Sequence, residues 1–160
     1  VIETLVEAGV TGFDAASIAE IELVRSVLPE ARIAFMHPVK SRGAITKAYF
    51  EHGVRTFSLD SHDELAKILD ATGGATDLNL LVRMAVSADG AQYSLSGKFG
   101  IGVDQAPALL LATRQAVKDG LMGVCFHVGS QCMRPSAYEA AMAQVGRAIT
   151  RAGVFVDIVD

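Results

Sequence analysis

The 160-residue sequence predicts an α/β protein built on a parallel β-sheet. Short β-rich runs alternate along the chain with segments of helical period. The runs are apolar throughout, a pattern typical of parallel strands that are covered by helices. We predict six strands, at residues 10–15, 32–37, 54–60, 78–84, 121–127 and 154–160.

Four segments between these runs carry apolar residues at helical spacing. They comprise Ile18, Ile21, Val24 and Leu28; Leu65, Ile68 and Leu69; Leu109, Leu110, Thr113, Ala116 and Val117; and Tyr138, Ala141, Met142, Val145 and Ile149. Ser17 with Glu20, and Ser61 with Glu64, have the spacing of capping boxes, and Pro135 suits a first helical turn. The pattern therefore indicates a repeated strand and helix.

The way the strands end favours a barrel over a doubly wound sheet. Neither G-x-G-x-x-G nor G-x-x-x-x-G-K-[ST], the phosphate-binding patterns of doubly wound and P-loop sheets, occurs in the chain. Nearly every predicted strand finishes in a polar side chain. These residues are Asp14, His37, Asp60, Arg83, His127 and Asp160. In a (β/α)8 barrel the carboxyl ends of the strands form one rim, and the catalytic residues lie on that rim. A full barrel needs about 250 residues, so we predict a partial TIM (β/α)8 barrel, with parallel strands and outer helices.

Composition narrows the classes of partner. The formal net charge is −4 and 51% of residues are hydrophobic, with no basic stripe that could neutralise a phosphate backbone. No apolar run approaches the ~20 residues of a membrane span, and no signal-peptide pattern is present at the start. We therefore expect a cytoplasmic protein that binds neither nucleic acid nor membrane.

The two cysteines and the histidines do not form a recognisable metal motif. Cys125 and Cys132 lie seven residues apart, which is not the C-x-x-C spacing of zinc and redox sites. His37 and His127 could join rim aspartates around a metal, but no H-x-H or H-E-x-x-H spacing supports this. We predict no metal and keep a metal-dependent barrel hydrolase or aldolase as an alternative.

Five segments in order along the chain carry a family resemblance: "GVTGFDAASIAEIE", "MHPVKS", "LVRMAV", "YSLSGKFGI" and "GVCFHVGSQC". Together they resemble the pyridoxal-phosphate-dependent decarboxylases with an alanine-racemase-like barrel, above all the ornithine decarboxylase branch. The resemblance covers essentially the whole chain. It implies pyridoxal 5'-phosphate as cofactor, a small amino-acid substrate and a homodimer with shared active sites.

The resemblance also implies that residues 1–160 are the central part of a cofactor-binding barrel domain. The strand with the lysine that binds the cofactor covalently would precede the chain. The glycine-rich phosphate loop and a β-domain would follow it. We therefore expect this fragment alone to be inactive.

The resemblance assigns roles to three cofactor-binding side chains. His127 of "FHVGS" would stack on the cofactor ring, although it could instead be a strand-end histidine held by a backbone carbonyl. Ser130 would be a phosphate ligand, or it could cap the helix that begins near Pro135. Arg83 would meet the phenolate oxygen or nearby acids, with a salt bridge to Asp60 as the competing interpretation.

Two acids complete the implied site. Asp14, which ends "GFD", would lie beside the cofactor and its lysine, both as a catalytic and as a cofactor-binding residue. Glu20 would approach the same lysine, yet its place in a capping box also explains it without function. Lys40 and Lys98 are rejected as the cofactor's lysine, because Lys40 falls in a loop or helix start and Lys98 in a loop that resembles the family's subunit interface.

The predicted reaction is decarboxylation of a basic L-amino acid, first of all L-ornithine to putrescine and CO2. Diaminopimelate, lysine or arginine decarboxylase is the alternative within the fold, since His37 stands where the ornithine branch commonly has asparagine. A non-catalytic regulatory homologue, similar to antizyme inhibitors, is a further alternative.

Overall fold

A computed structural model describes residues 1–86 and 98–160 of the chain. Its strands are β1 (Gly12–Ala15), β2 (Arg32–Phe35), β3 (Thr56–Leu59), β4 (Asn79–Ala85), β5 (Ile101–Gly102), β6 (Met122–Phe126) and β7 (Ile158–Val159). Its helices are α1 (Ile2–Glu7), α2 (Ile18–Val27), α3 (Arg42–Phe50), α4 (His62–Ala71), α5 (Ala106–Ala116) and α6 (Pro135–Ala152). Most of the motif "YSLSGKFGI" lies outside the described residues.

All strand pairs are parallel, and the strands follow one another in the order β1-β2-β3-β4-β6-β7, with β5 paired to β4. A doubly wound sheet reverses its strand order at a switch point, whereas here each new long strand adds to the same edge. This one-directional order is that of a barrel wall. The prediction of a partial TIM barrel is confirmed.

The two faces of the sheet have different environments. Side chains on alternate positions of each strand, such as Phe57, Leu80 and Val124, pack against the helices in the main core. The opposite positions form the inner face of the half-barrel. There Arg83 of β4 stands next to Cys125 of β6 in register. The charged candidates of the sequence therefore belong to the inner face and its rim.

Of the two predicted capping boxes, the one at the start of α2 is confirmed and the one at the start of α4 is only half formed. At α2 the Ser17 side chain accepts from the Glu20 backbone N–H and the Glu20 carboxylate returns to the cap, a complete capping box. At α4 the Ser61 side chain caps Glu64 in the same way, but the Glu64 carboxylate turns to Lys40 instead. The reciprocal half of that box is therefore wrong, because a buried cation competes for the carboxylate.

The sequence patterns did not reveal two elements. Helix α3 has little apolar periodicity, with only Ile45 and Ala48 fully buried. Strand β5 has two residues, too short for a pattern. Pro135 does begin α6, as predicted. Among residues 1–86 and 98–160, no helix combines the length and apolar character that crossing a membrane requires.

Candidate active site

A cavity of about 400 Å³ opens at the carboxyl ends of β1 and β2. Three of the five predicted site residues line it: Asp14, Glu20 and Arg83. The remaining wall is formed by Ala15, Ala16, Met36, His37, Pro38, Lys98 and Phe99. The cavity therefore lies where a barrel assembles its chemistry, and it presents two carboxylates and two cations to one space.

Asp14 lies one residue before the end of β1 and lines the cavity. Partial burial of its carboxyl group raises the pKa of Asp14 above its usual value, and the nearby Asp160 carboxylate raises it further. Two acids that repel each other favour the protonated form of one of them. Asp14 therefore holds a proton to higher pH than an ordinary surface aspartate.

Glu20 serves as a helix cap at the edge of the same cavity. One carboxylate oxygen accepts hydrogen bonds from the backbone N–H groups of Ala16 and Ser17. The sequence left open whether capping alone explains this residue. The structure places it in the cap and in the cavity wall together, so the two roles are compatible.

Arg83 projects from the inner face of β4 toward the cavity. Its guanidinium lies 5.9 Å from the centroid of the Phe99 ring. The competing interpretation paired Arg83 with Asp60, but the Asp60 carboxylate accepts a 2.9 Å hydrogen bond from the backbone N–H of Gly100. Asp60 thus fixes the chain at the start of β5, and Arg83 supplies a cation to the cavity.

His127 and Ser130 follow β6 and do not line this cavity. The backbone N–H of Gly129 donates to Nδ1 of His127 at 2.9 Å, which is the reverse of the backbone-carbonyl contact considered from the sequence. Gly129 has φ 108° and Gln131 has φ 55°, so Ser130 sits between two left-handed residues in a tight turn. The imidazole itself is exposed. This leaves a flat aromatic surface beside the strand that carries Arg83.

The two thiols lie in different environments. Cys125 is buried and Cys132 lies partly exposed in the loop before α6. Burial raises the pKa of the Cys125 thiol to about 12, with the Arg83 cation opposing the shift. Cys125 is therefore a protonated, packed side chain. Within the described part of the chain, no three histidine, cysteine, aspartate or glutamate side chains could together hold a metal ion.

Lys40 is a buried group whose importance the sequence did not reveal. Its side chain has no exposed surface, and its ammonium lies 3.0 Å from the Glu64 carboxylate. Burial lowers the pKa of Lys40, and Glu64 opposes that effect. Lys40 was rejected as the cofactor's lysine because it falls in a loop, and that reason is incomplete, because the Lys40 side chain is buried within that loop. In the sequence, Lys40 belongs to the motif "MHPVKS" and lies five residues after β2, which does not reveal its burial.

Comparison with known proteins identifies the family to which this chain belongs. The family model described as "Pyridoxal-dependent decarboxylase, pyridoxal binding domain" matches residues 1–157. The chain therefore belongs to the pyridoxal-dependent decarboxylase family. Lysine/ornithine decarboxylase of Selenomonas ruminantium is 38% identical over 133 residues, which cover 81% of this chain and 32% of that protein. The chain thus spans about a third of the length of this relative.

Solved structures agree with this assignment. The arginine decarboxylase of Paramecium bursaria Chlorella virus bound to agmatine matches with a TM-score of 0.85 and 30% identity, over 99% of this chain and 42% of that one. A mutant of the protein called SrLDC, in complex with PLP, matches with a TM-score of 0.84 and 31% identity, over 99% of this chain and 41% of that one. Pyridoxal phosphate is the cofactor of the family domain that this chain represents.

The residues present suit that cofactor. A phosphorylated aromatic ring needs anion-binding donors and a flat surface for its face. The Arg83 guanidinium, the Ser130 hydroxyl and the exposed imidazole of His127 are of these kinds, and all lie on β4 or just after β6. The donor set of the rim therefore fits pyridoxal phosphate.

Proposed function

We propose that the full protein is a decarboxylase of basic L-amino acids, with L-ornithine as substrate and putrescine and CO2 as products. The observation that carries this proposal is the match of the family's pyridoxal-binding domain to residues 1–157. The cavity at the carboxyl ends of the strands, lined by Asp14, Glu20 and Arg83, supports it. Within it, residues 1–160 would be the central part of the cofactor-binding barrel.

The proposed roles follow the chemistry of each side chain. His127 would stack on the ring and hold it in place, with its own orientation set by Gly129. Ser130 would donate to the phosphate. Arg83 would compensate negative charge on the bound cofactor or nearby acids. When bound, the cofactor supplies an electron sink for the electrons released as the Cα–carboxylate bond breaks.

Asp14 and Glu20 would act on the other side of the cavity. Partial burial and the Asp160 carboxylate raise the pKa of Asp14, so it would hold a proton to higher pH than an ordinary aspartate and could exchange it with a nearby amine. Glu20 already presents a carboxylate whose position is fixed by two backbone donors. Both would position the lysine that precedes this domain segment in the family.

The substrate is tested by a panel. Full-length protein loaded with pyridoxal phosphate is given L-ornithine, L-lysine, L-arginine and meso-diaminopimelate in turn, and kcat/KM is measured from CO2 release. The proposal predicts the highest value for L-ornithine. A highest value for lysine, arginine or diaminopimelate would keep the reaction and replace the substrate.

A regulatory homologue is the second candidate, because antizyme inhibitor 2 of Mus musculus is 33% identical over 144 residues. That candidate predicts no CO2 from any of the four amino acids. A homodimer and a cytoplasmic location are part of the proposal. Sedimentation of the full-length protein with and without cofactor tests the dimer.

A further inference from the structure

The loop that follows β2 forms one wall of the cavity. Met36, His37 and Pro38 line the cavity directly. His37 also meets Phe99 edge to face, with the ring centroids 5.0 Å apart. The position of this loop therefore decides the shape of the space in which Asp14, Glu20 and Arg83 meet.

Lys40 ties this loop to the neighbouring strand. Its Nζ donates to the backbone carbonyl of His37 at 2.9 Å and to that of Ser58, in β3, at 2.6 Å. The third partner is Oε1 of Glu64 at 3.0 Å. An ammonium has three donors and no acceptor, so all of its protons are used and none of its electrons is available to attack a carbonyl.

Ser58 and Glu64 complete the clamp. The hydroxyl of Ser58 donates to the Met36 carbonyl at 2.7 Å, and Ser58 is itself fully buried. Oε1 of Glu64 also accepts from the backbone N–H of Lys40 at 3.1 Å. Two consecutive carbonyls of the cavity wall, those of Met36 and His37, are thus held by side chains from β3 and from the loop itself.

We propose that Lys40, held by Glu64 and assisted by Ser58, is a positioning residue that fixes the Met36–Pro38 wall and thereby sets the affinity of the site for cofactor and amino acid. The inference rests on the proposed function, since it concerns the same cavity. Apolar residues in place of a buried ion pair often give the same stability or more. Stability alone therefore does not explain the Lys40–Glu64 pair, whereas the hydrogen bond from Lys40 to the cavity wall does.

The test compares two ways of removing the clamp in the cofactor-loaded full-length protein. The double variant Lys40→Met/Glu64→Gln removes both charges together and leaves an amide oxygen at position 64 to accept the backbone N–H of residue 40. Neither Lys40 nor Glu64 is left as an unpaired buried charge, and Lys67, which loses its carboxylate partner, is partly exposed, so stability is largely kept. Ser58→Ala removes only the bond to the Met36 carbonyl and should fold.

Four measurements are made on each variant: the melting temperature, the pyridoxal phosphate dissociation constant by absorbance titration, amide hydrogen exchange over residues 36–39, and the steady-state kinetics of the best amino acid. Loss of a hydrogen bond from a charged donor predicts about tenfold weaker cofactor binding in the double variant, and a smaller loss in Ser58→Ala. Exchange over residues 36–39 should accelerate in both. The KM for the best amino acid should rise more than kcat falls.

Lys67→Met is the matched control, because Lys67 contacts the other oxygen of Glu64 and reaches neither wall carbonyl. It should leave cofactor affinity and exchange over residues 36–39 unchanged. Unchanged cofactor affinity and unchanged exchange in the double variant would overturn the proposal, as would equal losses in Lys67→Met. Cofactor binding and amide exchange need no turnover, so an absence of decarboxylation would count against the proposed function and not against the clamp.

Discussion

The backbone N–H of Gly129 donates a hydrogen bond to Nδ1 of His127 across 2.9 Å. Because Nδ1 accepts, the proton of a neutral imidazole sits on Nε2. The bond also fixes the ring plane relative to the turn that contains Ser130. The proposed stacking role can therefore be separated from the role of holding that turn.

Two substitutions at His127 make this separation. His127→Phe keeps a flat ring but loses the acceptor, whereas His127→Asn keeps an acceptor and loses the ring. If stacking dominates, His127→Asn should weaken cofactor binding by about fivefold, since ring contacts are worth about 1 kcal/mol, and His127→Phe should bind more tightly than His127→Asn. Fluorescence titration with pyridoxal phosphate measures both. The reverse order would assign His127 to the turn.

Glu20 offers a similar separation between capping and chemistry. Glu20→Gln keeps an oxygen for the N–H groups of Ala16 and Ser17 but removes the charge, whereas Glu20→Ala removes both. We expect Glu20→Ala to lower the unfolding free energy by about 1 kcal/mol and Glu20→Gln to change it little. If the carboxylate acts on the cofactor's lysine, kcat falls in both variants. Full kcat in Glu20→Gln would reduce Glu20 to a cap.

Asp14 should make stability depend on pH. Its raised pKa means that the folded chain favours the protonated acid, a contribution complete below the ordinary value of 3.8 and lost as pH rises through the folded-state pKa. At neutral pH the ionised Asp14 is therefore unfavourable. Asp14→Asn should raise the melting temperature of cofactor-free protein at pH 7, and the gain should shrink as pH falls.

Glu30→Gln, at an exposed position in the turn before β2, provides the comparison for Asp14→Asn. It should give no such gain at pH 7. Thermal unfolding from pH 3 to 7, a range that spans the ordinary value of 3.8, measures both variants. A melting temperature for Asp14→Asn that is unchanged, or whose gain grows as pH falls, would contradict the assignment.

The two cysteines should differ in reactivity. A thiol with a pKa of about 12 carries almost no thiolate at pH 8. Maleimide followed by peptide mapping should therefore modify Cys132 more than about a hundredfold faster than Cys125. Cys132→Ser should leave kcat nearly intact. Comparable labelling of the two thiols in folded protein would show that Cys125 is accessible.

Local patterns explain which parts of this structure the sequence predicted. The Ser17 cap, Pro135 at the start of α6 and the apolar strands depend on neighbours within a few residues or on burial alone. The rim residues could be predicted because the carboxyl ends of all parallel strands in a barrel lie on the same rim, so a polar residue at a strand end has a known location. The individual roles of those residues were inferred from the family resemblance, because the cavity is lined by residues from several separate strands and loops.

What escaped prediction depends on long-range contacts. Glu64 matched the capping-box spacing, yet its carboxylate serves Lys40, 24 residues earlier in the chain. Lys40 lies in the motif "MHPVKS", but nothing in that motif shows that its side chain is buried, because a lysine is buried only when distant acceptors satisfy it. Such contacts are specified by the packing of β2, β3 and α4, which no short window of sequence contains.

The proposed decarboxylation of L-ornithine is tested by CO2 release from the carboxyl-labelled amino acid. The assay uses full-length protein whose absorbance shows stoichiometric pyridoxal phosphate. We expect cofactor-dependent release of CO2 with an equal amount of putrescine. No release from ornithine or from the other three amino acids, in protein that holds the cofactor, would contradict it.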